Sequence, residues 1–292
     1  MYTNLVFSGG GVKGIGFIGA LIELEKLEKL KNIKNLAGTS VGSIIAMLVA
    51  LGFTPKEIKN LMFEDKKIDF DKIVDYHYYL NIYHFINNYG MAYGDYLYIV
   101  LGDIIKSKTG NPDYTFQNLY DDKGVKLVIT ATNLNRKNLI YMYHLTYPLM
   151  PIRKAIRMST SVPFLYMPVI HDDEYYVDGG TLNDYIIEAF DGDRPEDIQT
   201  RYNGISNPQT LGFKIVQEES ECEQINHLYD YAYSFIESFL AENERKYLLS
   251  KNIVRTVLIN TPAYPLKKFD LSIEEKKQLI TQGELGVREF FK

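Results

Sequence analysis

Residues 5–14 read LVFSGGGVKG, and residues 33–42 read IKNLAGTSVG. Each stretch has an apolar run, then glycine-containing turn residues, then an amphipathic or apolar run, which is typical of a strand, a tight turn and a helix. A capping box with proline, Thr54 to Glu57, predicts the start of a further helix. This order predicts parallel strands with helices on the sheet faces. The predicted fold class is α/β, a three-layer sandwich with a mainly parallel central sheet.

Gly38, Ser40 and Gly42 fit the pattern Gly-x-Ser-x-Gly of a nucleophile elbow. In such an elbow a serine lies on a sharp strand-to-helix turn, and the flanking glycines let neighbouring backbone approach without a Cβ clash. The hydroxyl is then exposed near the N-terminus of the next helix, where the helix dipole favours developing negative charge. Ser40 is therefore the candidate nucleophile.

Gly9, Gly10 and Gly11 open the first predicted helix. Their N–H groups could converge on an anion, and in acyl transfer that anion is the tetrahedral oxyanion. The spacing of Gly9, Gly11 and Gly14 also satisfies the dinucleotide fingerprint, which requires an acidic residue about 20 residues further on, after the second strand. That strand ends in Gly-Thr-Ser instead. A non-hydrolytic nucleotide or phosphate binder that uses the Gly9–Gly14 loop remains the alternative function.

A third motif, Asp178-Gly179-Gly180, follows the first two in the chain. With these motifs in this order, the chain resembles the patatin-like phospholipase family, and the block AIRMSTSVPF at residues 155–164 is similar to the family's segment before the aspartate. The resemblance implies one patatin-like domain over residues 1–292. Its core motifs would lie in residues 5–183, and its C-terminal strands and helices in residues 209–292.

The resemblance implies a serine lipid acyl hydrolase of the phospholipase A or lysophospholipase type. Ser40 would form the acyl-enzyme, Asp178 would accept its proton directly, and the Gly9–Gly11 amides would form the oxyanion hole. A carboxylate can act as this base only in a sheltered pocket that raises its basicity. The residues alone predict only carboxylic ester hydrolysis. Lys13 could orient the glycine loop or attract a phosphate head group, although a surface lysine at a helix start is an equal alternative.

Other side chains offer weaker candidates for catalysis. The chain has five histidines, and none lies in a motif that would place it on the serine. His171 is close in sequence to Asp178 and could complete a triad, with a solvated loop histidine as the alternative. Asp178 could itself be a turn residue, because Asp-Gly is a turn signal; its position at a predicted strand end favours catalysis. Ser159 and Ser161 are predicted to be cap or turn residues.

Composition limits the partners that we expect. A net charge of −5 over 292 residues gives no basic face for nucleic acid. No run approaches the ~18 apolar residues of a membrane span, and no signal peptide precedes the first strand. We expect a cytoplasmic protein that could bind membranes peripherally, with a phospholipid or another acyl lipid as substrate. The family resemblance also implies that an activating protein could be needed.

The remaining possible functional features of the sequence are metal ligands, the cysteine and a tyrosine-rich stretch. No set of His, Cys, Asp or Glu has the spacing of metal ligands, so no metal and no cofactor are expected. The single cysteine, Cys222, is predicted to be inert. Residues 76–98 are rich in tyrosine, which suits either a membrane interface or acyl groove, or a helical cap that packs on the core.

Overall fold

The computed structural model describes residues 1–63, 68–73, 85–191, 206–217, 224–248, 251–265 and 268–292. Its strands are β1 Asn4–Phe7, β2 Asn35–Gly38, β3 Gly90–Ala92, β4 Lys126–Asn133, β5 Asn138–Met142, β6 Phe164–Tyr166, β7 Val169–His171, β8 Glu174–Asp178, β9 Thr210–Gln217 and β10 Thr256–Thr261. Its α-helices are α1 Gly16–Lys26, α2 Val41–Ala50, α3 Pro55–Phe63, α4 Phe70–Ile73, α5 Asp95–Thr109, α6 Phe116–Lys123, α7 Ile152–Ser159, α8 Leu228–Leu248 and α9 Ile273–Phe290. Short 3₁₀ helices cover Gly11–Ile15, Gly179–Thr181, Ile187–Phe190 and Lys251–Arg255.

The central sheet has the strand order β10-β9-β1-β2-β4-β8-β7, and β5 also pairs with β4. The strands β10, β9, β1, β2 and β4 are parallel to one another, whereas β5 and β8 run antiparallel to β4. The predicted α/β class and the mainly parallel sheet are confirmed. Because parallel strands end at the same edge of a sheet, the turns after β1 and β2 lie side by side there.

The strands at the centre of the sheet are buried on both faces, which explains why β1 and β2 are short and mostly apolar. Leu5 and Phe7 of β1 contact a core that also contains apolar residues of α1, α2 and α9. Val6 points to the opposite face, where it contacts a second cluster that includes Ile187 and Phe190 of a 3₁₀ helix. Because side chains alternate along a strand, the apolar residues of one run pack into the clusters on both faces of the sheet.

Several predicted boundaries are confirmed. The Glu57 N–H donates to Thr54 Oγ1 at 3.2 Å and the Thr54 N–H donates to Glu57 Oε2 at 2.7 Å, as a capping box requires. Two β-rich runs, at residues 124–131 and 139–143, predict a hairpin, and β4 and β5 form it. The position of Gly52 after the elbow helix predicts a helix-ending glycine, and its φ of 84° agrees.

Two predicted elements were wrong in their extent. The apolar periodicity of residues 14–31 predicts one continuous helix, but a 3₁₀ helix precedes α1, and α1 ends at Lys26. Glu28 follows in the left-handed region at φ 55°, which cannot continue a helix. The apolar run at residues 253–259 predicts a strand, but residues 251–255 form a 3₁₀ helix in which Arg255 bonds to Asn252. The strand begins only at Thr256.

Part of the predicted features lies outside the described residues. The tyrosine-rich stretch at 76–98 is described only from residue 85, and His77, His84 and Cys222 fall in the gaps. Across the ranges given above, no helix is both long and apolar enough to cross a bilayer. Within the same ranges, no three His, Cys, Asp or Glu side chains group as a metal site would need.

Candidate active site

Ser40 lies on a strained turn between β2 and α2. Its backbone has φ 53° and ψ −128°, which is rare for a residue with a side chain. The flanking glycines are required by close backbone contacts: a Cβ on Gly38 would lie 2.3 Å from Gly42 O, and one on Gly42 would lie 2.4 Å from Ser8 O. The turn therefore crosses the end of β1 at a distance that only glycine permits.

Contacts from outside the turn hold this backbone in place. The Ser40 N–H donates to Ser159 Oγ at 2.9 Å, and Ser43 Oγ donates to Ser40 O at 2.5 Å. Thr39 Oγ1 lies 2.8 Å from Thr130 Oγ1 of β4. The sequence predicts that Ser159 lies in a cap or turn, and it does not indicate the hydrogen bond to Ser40. Its only sequence signal was its place in the block at residues 155–164.

Asp178 ends β8 beside the elbow and is only 5% exposed. Its carboxylate accepts the Gly180 N–H at 2.7 Å and lies close enough to the Ser40 side chain for that hydroxyl to favour its charged form. Its own N–H donates to Ser161 O at 2.8 Å. Burial raises the pKa of Asp178 to about 7, and the negative charge of Asp184 acts in the same direction. The Ser40 hydroxyl and the Gly180 N–H act in the opposite direction. Near neutral pH this carboxylate can therefore both accept and return a proton.

The glycine loop approaches the same point from β1. Gly10 and Gly11 have φ values of 146° and 56°, in the region that favours glycine. In the described part of the chain, their N–H groups donate to no protein acceptor. The Gly9 N–H instead donates to Asp184 O at 3.0 Å. Because the Gly9 amide already has an acceptor within the chain, Gly10 and Gly11 are the candidate oxyanion donors among these three glycines.

The other sequence candidates lie elsewhere. Lys13 is 9% exposed rather than on the surface, and its ammonium donates to the Gln217 side chain at the end of β9. His171 Nδ1 lies 3.1 Å from Lys154 Nζ, and the His144 ring stacks on the Tyr120 ring with centroids 3.8 Å apart. Of the three histidines within the described ranges, none hydrogen-bonds to Ser40 or Asp178.

Comparison with known proteins points to one family. A family model described as Patatin-like phospholipase matches residues 5–191. An uncharacterized protein of Acanthamoeba polyphaga mimivirus, R571, is 33% identical over 98% of this chain and 92% of its own length. The probable lipid hydrolase 463L of Invertebrate iridescent virus 6 is 29% identical over 70% of this chain and 66% of its own length.

The fold is similar to that of VipD from Legionella pneumophila. The TM-score of that solved structure is 0.60 and the sequence identity is 18%. The match covers 99% of this chain, but this chain spans only 66% of the VipD chain. The likeness therefore concerns the fold alone.

Proposed function

The chain belongs to the patatin-like phospholipase family, and we propose that it is a serine lipid acyl hydrolase. The observation that carries this proposal is the placement of the Ser40 hydroxyl, on its strained turn, beside the buried Asp178 carboxylate. The family and the name of the related protein 463L, probable lipid hydrolase, support lipid hydrolysis. A nucleotide binder that used the glycine loop would leave this Ser–Asp contact without a role.

In the proposed acylation step, Ser40 Oγ attacks the ester carbonyl carbon while its proton passes to Asp178. The tetrahedral oxyanion accepts hydrogen bonds from the Gly10 and Gly11 N–H groups. When the intermediate collapses, the ester C–O bond breaks and Asp178 returns the proton to the leaving alcohol. This step forms the acyl-enzyme and needs no metal ion or cofactor.

In the proposed deacylation step, water attacks the acyl-enzyme and gives a proton to Asp178. The bond between the acyl carbon and Ser40 Oγ then breaks, and the same proton restores the serine hydroxyl. A base with a pKa of about 7 suits both directions of transfer, because neither protonation state is strongly favoured near neutral pH. One carboxylate therefore serves as base and as acid in alternate steps.

We take the substrate to be a phospholipid or lysophospholipid, met at a membrane surface, on the basis of the family. The competing substrates are neutral acyl glycerols and small soluble esters, which the same chemistry could cleave. A direct comparison of phosphatidylcholine, lysophosphatidylcholine and triacylglycerol in the same detergent micelles tests this part. Preference for triacylglycerol would contradict the phospholipase assignment but leave the acyl hydrolase assignment standing.

The nucleophile is tested by labelling the full chain with a fluorophosphonate and mapping the modified peptide. We expect the label on Ser40, and neither label nor hydrolysis in Ser40→Ala. Ser238→Ala is the matched control, because that hydroxyl is exposed and donates to Ser234 O of its own helix. Label on another serine, or more than a few per cent of activity in a folded Ser40→Ala, would contradict the proposal.

A further inference from the structure

A buried ion pair lies directly behind the glycine loop. Lys214 of β9 is 2% exposed, and its ammonium donates to Asp184 Oδ2 at 2.5 Å. A buried ammonium is tolerated only when a counter-charge and hydrogen bonds replace its water. Lys214 therefore fixes the position of the Asp184 side chain. Neither residue belongs to the three sequence motifs.

Asp184 touches the loop at Gly9 in two ways. Its backbone carbonyl accepts the Gly9 N–H at 3.0 Å. Its Oδ1 lies only 2.1 Å from where a Cβ on Gly9 would be, so the carboxylate rests on the glycine Cα. From the other side, β9 holds the preceding residue: Ser8 N–H donates to Phe213 O at 3.0 Å, and Ser8 Oγ accepts the Ile215 N–H at 3.1 Å. These hydrogen bonds hold residues 8 and 9 in place, immediately before the Gly10 and Gly11 amides.

The charge of Asp184 also reaches Asp178. Burial is the main cause of the raised pKa of Asp178, and the negative charge of Asp184 raises it further. The Ser40 side chain and the Gly180 N–H oppose both effects. Among the described residues, Asp184 is the one charged side chain that shifts the pKa of Asp178. Asp184 is itself paired with the ammonium of Lys214.

We propose that Asp184 is a positioning residue of this site. Held by Lys214, it fixes the Gly9 peptide so that the Gly10 and Gly11 amides point to the oxyanion. The proposal rests on the proposed function. It adds a second pair, Asp184–Lys214, that acts through the glycine loop and through Asp178 without touching the substrate.

The first test is Asp184→Asn, which keeps the size and the backbone carbonyl but removes the charge. We expect kcat to fall roughly tenfold or more, short of the about 10²–10³-fold loss of an oxyanion donor. KM should change little, because the loss concerns the transition state. The acid limb of the kcat/KM profile should move to lower pH, since Asp178 loses a negative neighbour. The control is Asp270→Asn, which removes the same charge at an exposed site that does not act on Asp178. It should leave kcat and the acid limb unchanged.

A second variant covers the case in which the unpaired Lys214 unfolds the protein. Asp184→Asn with Lys214→Gln replaces the ion pair by a neutral amide pair, and it should show the same direction of change in the acid limb. A third comparison uses the shared contact: Gly9→Ala should be far less damaging when Asp184→Ala has removed the carboxylate that it would strike.

These outcomes separate the two proposals. If Ser40→Ala is inactive while the Asp184 variants keep the wild-type kcat and acid limb, this inference is wrong and the acyl hydrolase assignment stands. If kcat falls with the folded fraction while the acid limb stays in place, Asp184 is only structural and the inference is again wrong. If Ser40→Ala remains active, the proposed function itself fails.

Discussion

Ser159 holds the backbone of Ser40 by accepting its N–H at 2.9 Å, from a position 119 residues further along the chain. Two residues later, Ser161 O accepts the Asp178 N–H at 2.8 Å. The end of α7 therefore sets the backbone of both residues that we propose for catalysis. Arg157 in turn donates to the Ser161 hydroxyl, which ties this segment to its own helix.

Replacement of Ser159 should loosen the elbow. Ser159→Ala removes the acceptor and leaves the Ser40 N–H without a partner, which costs about 1–3 kcal/mol when the group is buried. Part of this cost should appear as a shift of the nucleophile, so we expect kcat to fall by roughly tenfold, or about 1.4 kcal/mol. Ser159→Thr keeps the acceptor and should retain more activity. Equal activity of Ala and Thr variants would show that the contact has no influence on catalysis.

The two oxyanion glycines should differ in their tolerance of a side chain. Gly10→Ala should lower kcat by about 10²–10³-fold, the usual cost of losing one oxyanion donor. The φ of 146° excludes L-residues, and a Cβ would lie 3.0 Å from Ile215 Cγ1. Gly11 at φ 56° has nothing within 4 Å of the point where a Cβ would lie, so Gly11→Asn should cost less than Gly10→Ala. Steady-state kinetics checks this order; a change in KM alone would mean that the loop binds substrate rather than its transition state.

The identity of the base can be read from paired substitutions. Asp178→Asn should abolish kcat nearly as fully as Ser40→Ala, because it removes charge and basicity at constant size. Conversion of each histidine to glutamine should cost less than roughly tenfold, or about 1.4 kcal/mol. The acid limb of wild-type activity should lie near pH 7, since Asp178 with a pKa of about 7 must be ionised to accept the proton. If His171→Gln lowered kcat as much as Asp178→Asn, the site would instead use a triad.

The same carboxylate should make folding stability depend on pH. Its pKa is about 7 in the folded chain against an ordinary value of 3.8, so between these values the folded state keeps a proton that the unfolded state releases. Its stabilising effect is complete below 3.8 and is lost as the pH rises through 7. Asp178→Asn should therefore raise Tm at about pH 8, and the gain should shrink at about pH 5. Calorimetry at both values checks this, and a gain independent of pH would rule out the linkage.

The sequence predicted the elements of the site better than the contacts between them. Ser40 and the glycine loop could be placed together because both follow parallel strands, and such turns meet at one sheet edge. The Gly9 hydrogen bond to Asp184 could not be foreseen, since it joins segments that are far apart in sequence and leaves no local pattern. The role of Ser159 was missed for the same reason. The end of α1 was missed because Leu27 and Leu30 continue the apolar periodicity after the helix has stopped.

The position of β9 bears on how this protein can be divided. The matched family segment ends at residue 191, and it contains every motif residue, yet β9 begins only at Thr210. In a fragment that stopped at 191, β1 would become an edge strand, the ring of Phe7 would lose its stacking partner Phe213, and Ser8 would lose its clamp. Such a fragment contains every motif residue but lacks β9, the strand that supports the glycine loop. A functional excised domain or a transplanted catalytic module must therefore include the C-terminal part of the chain.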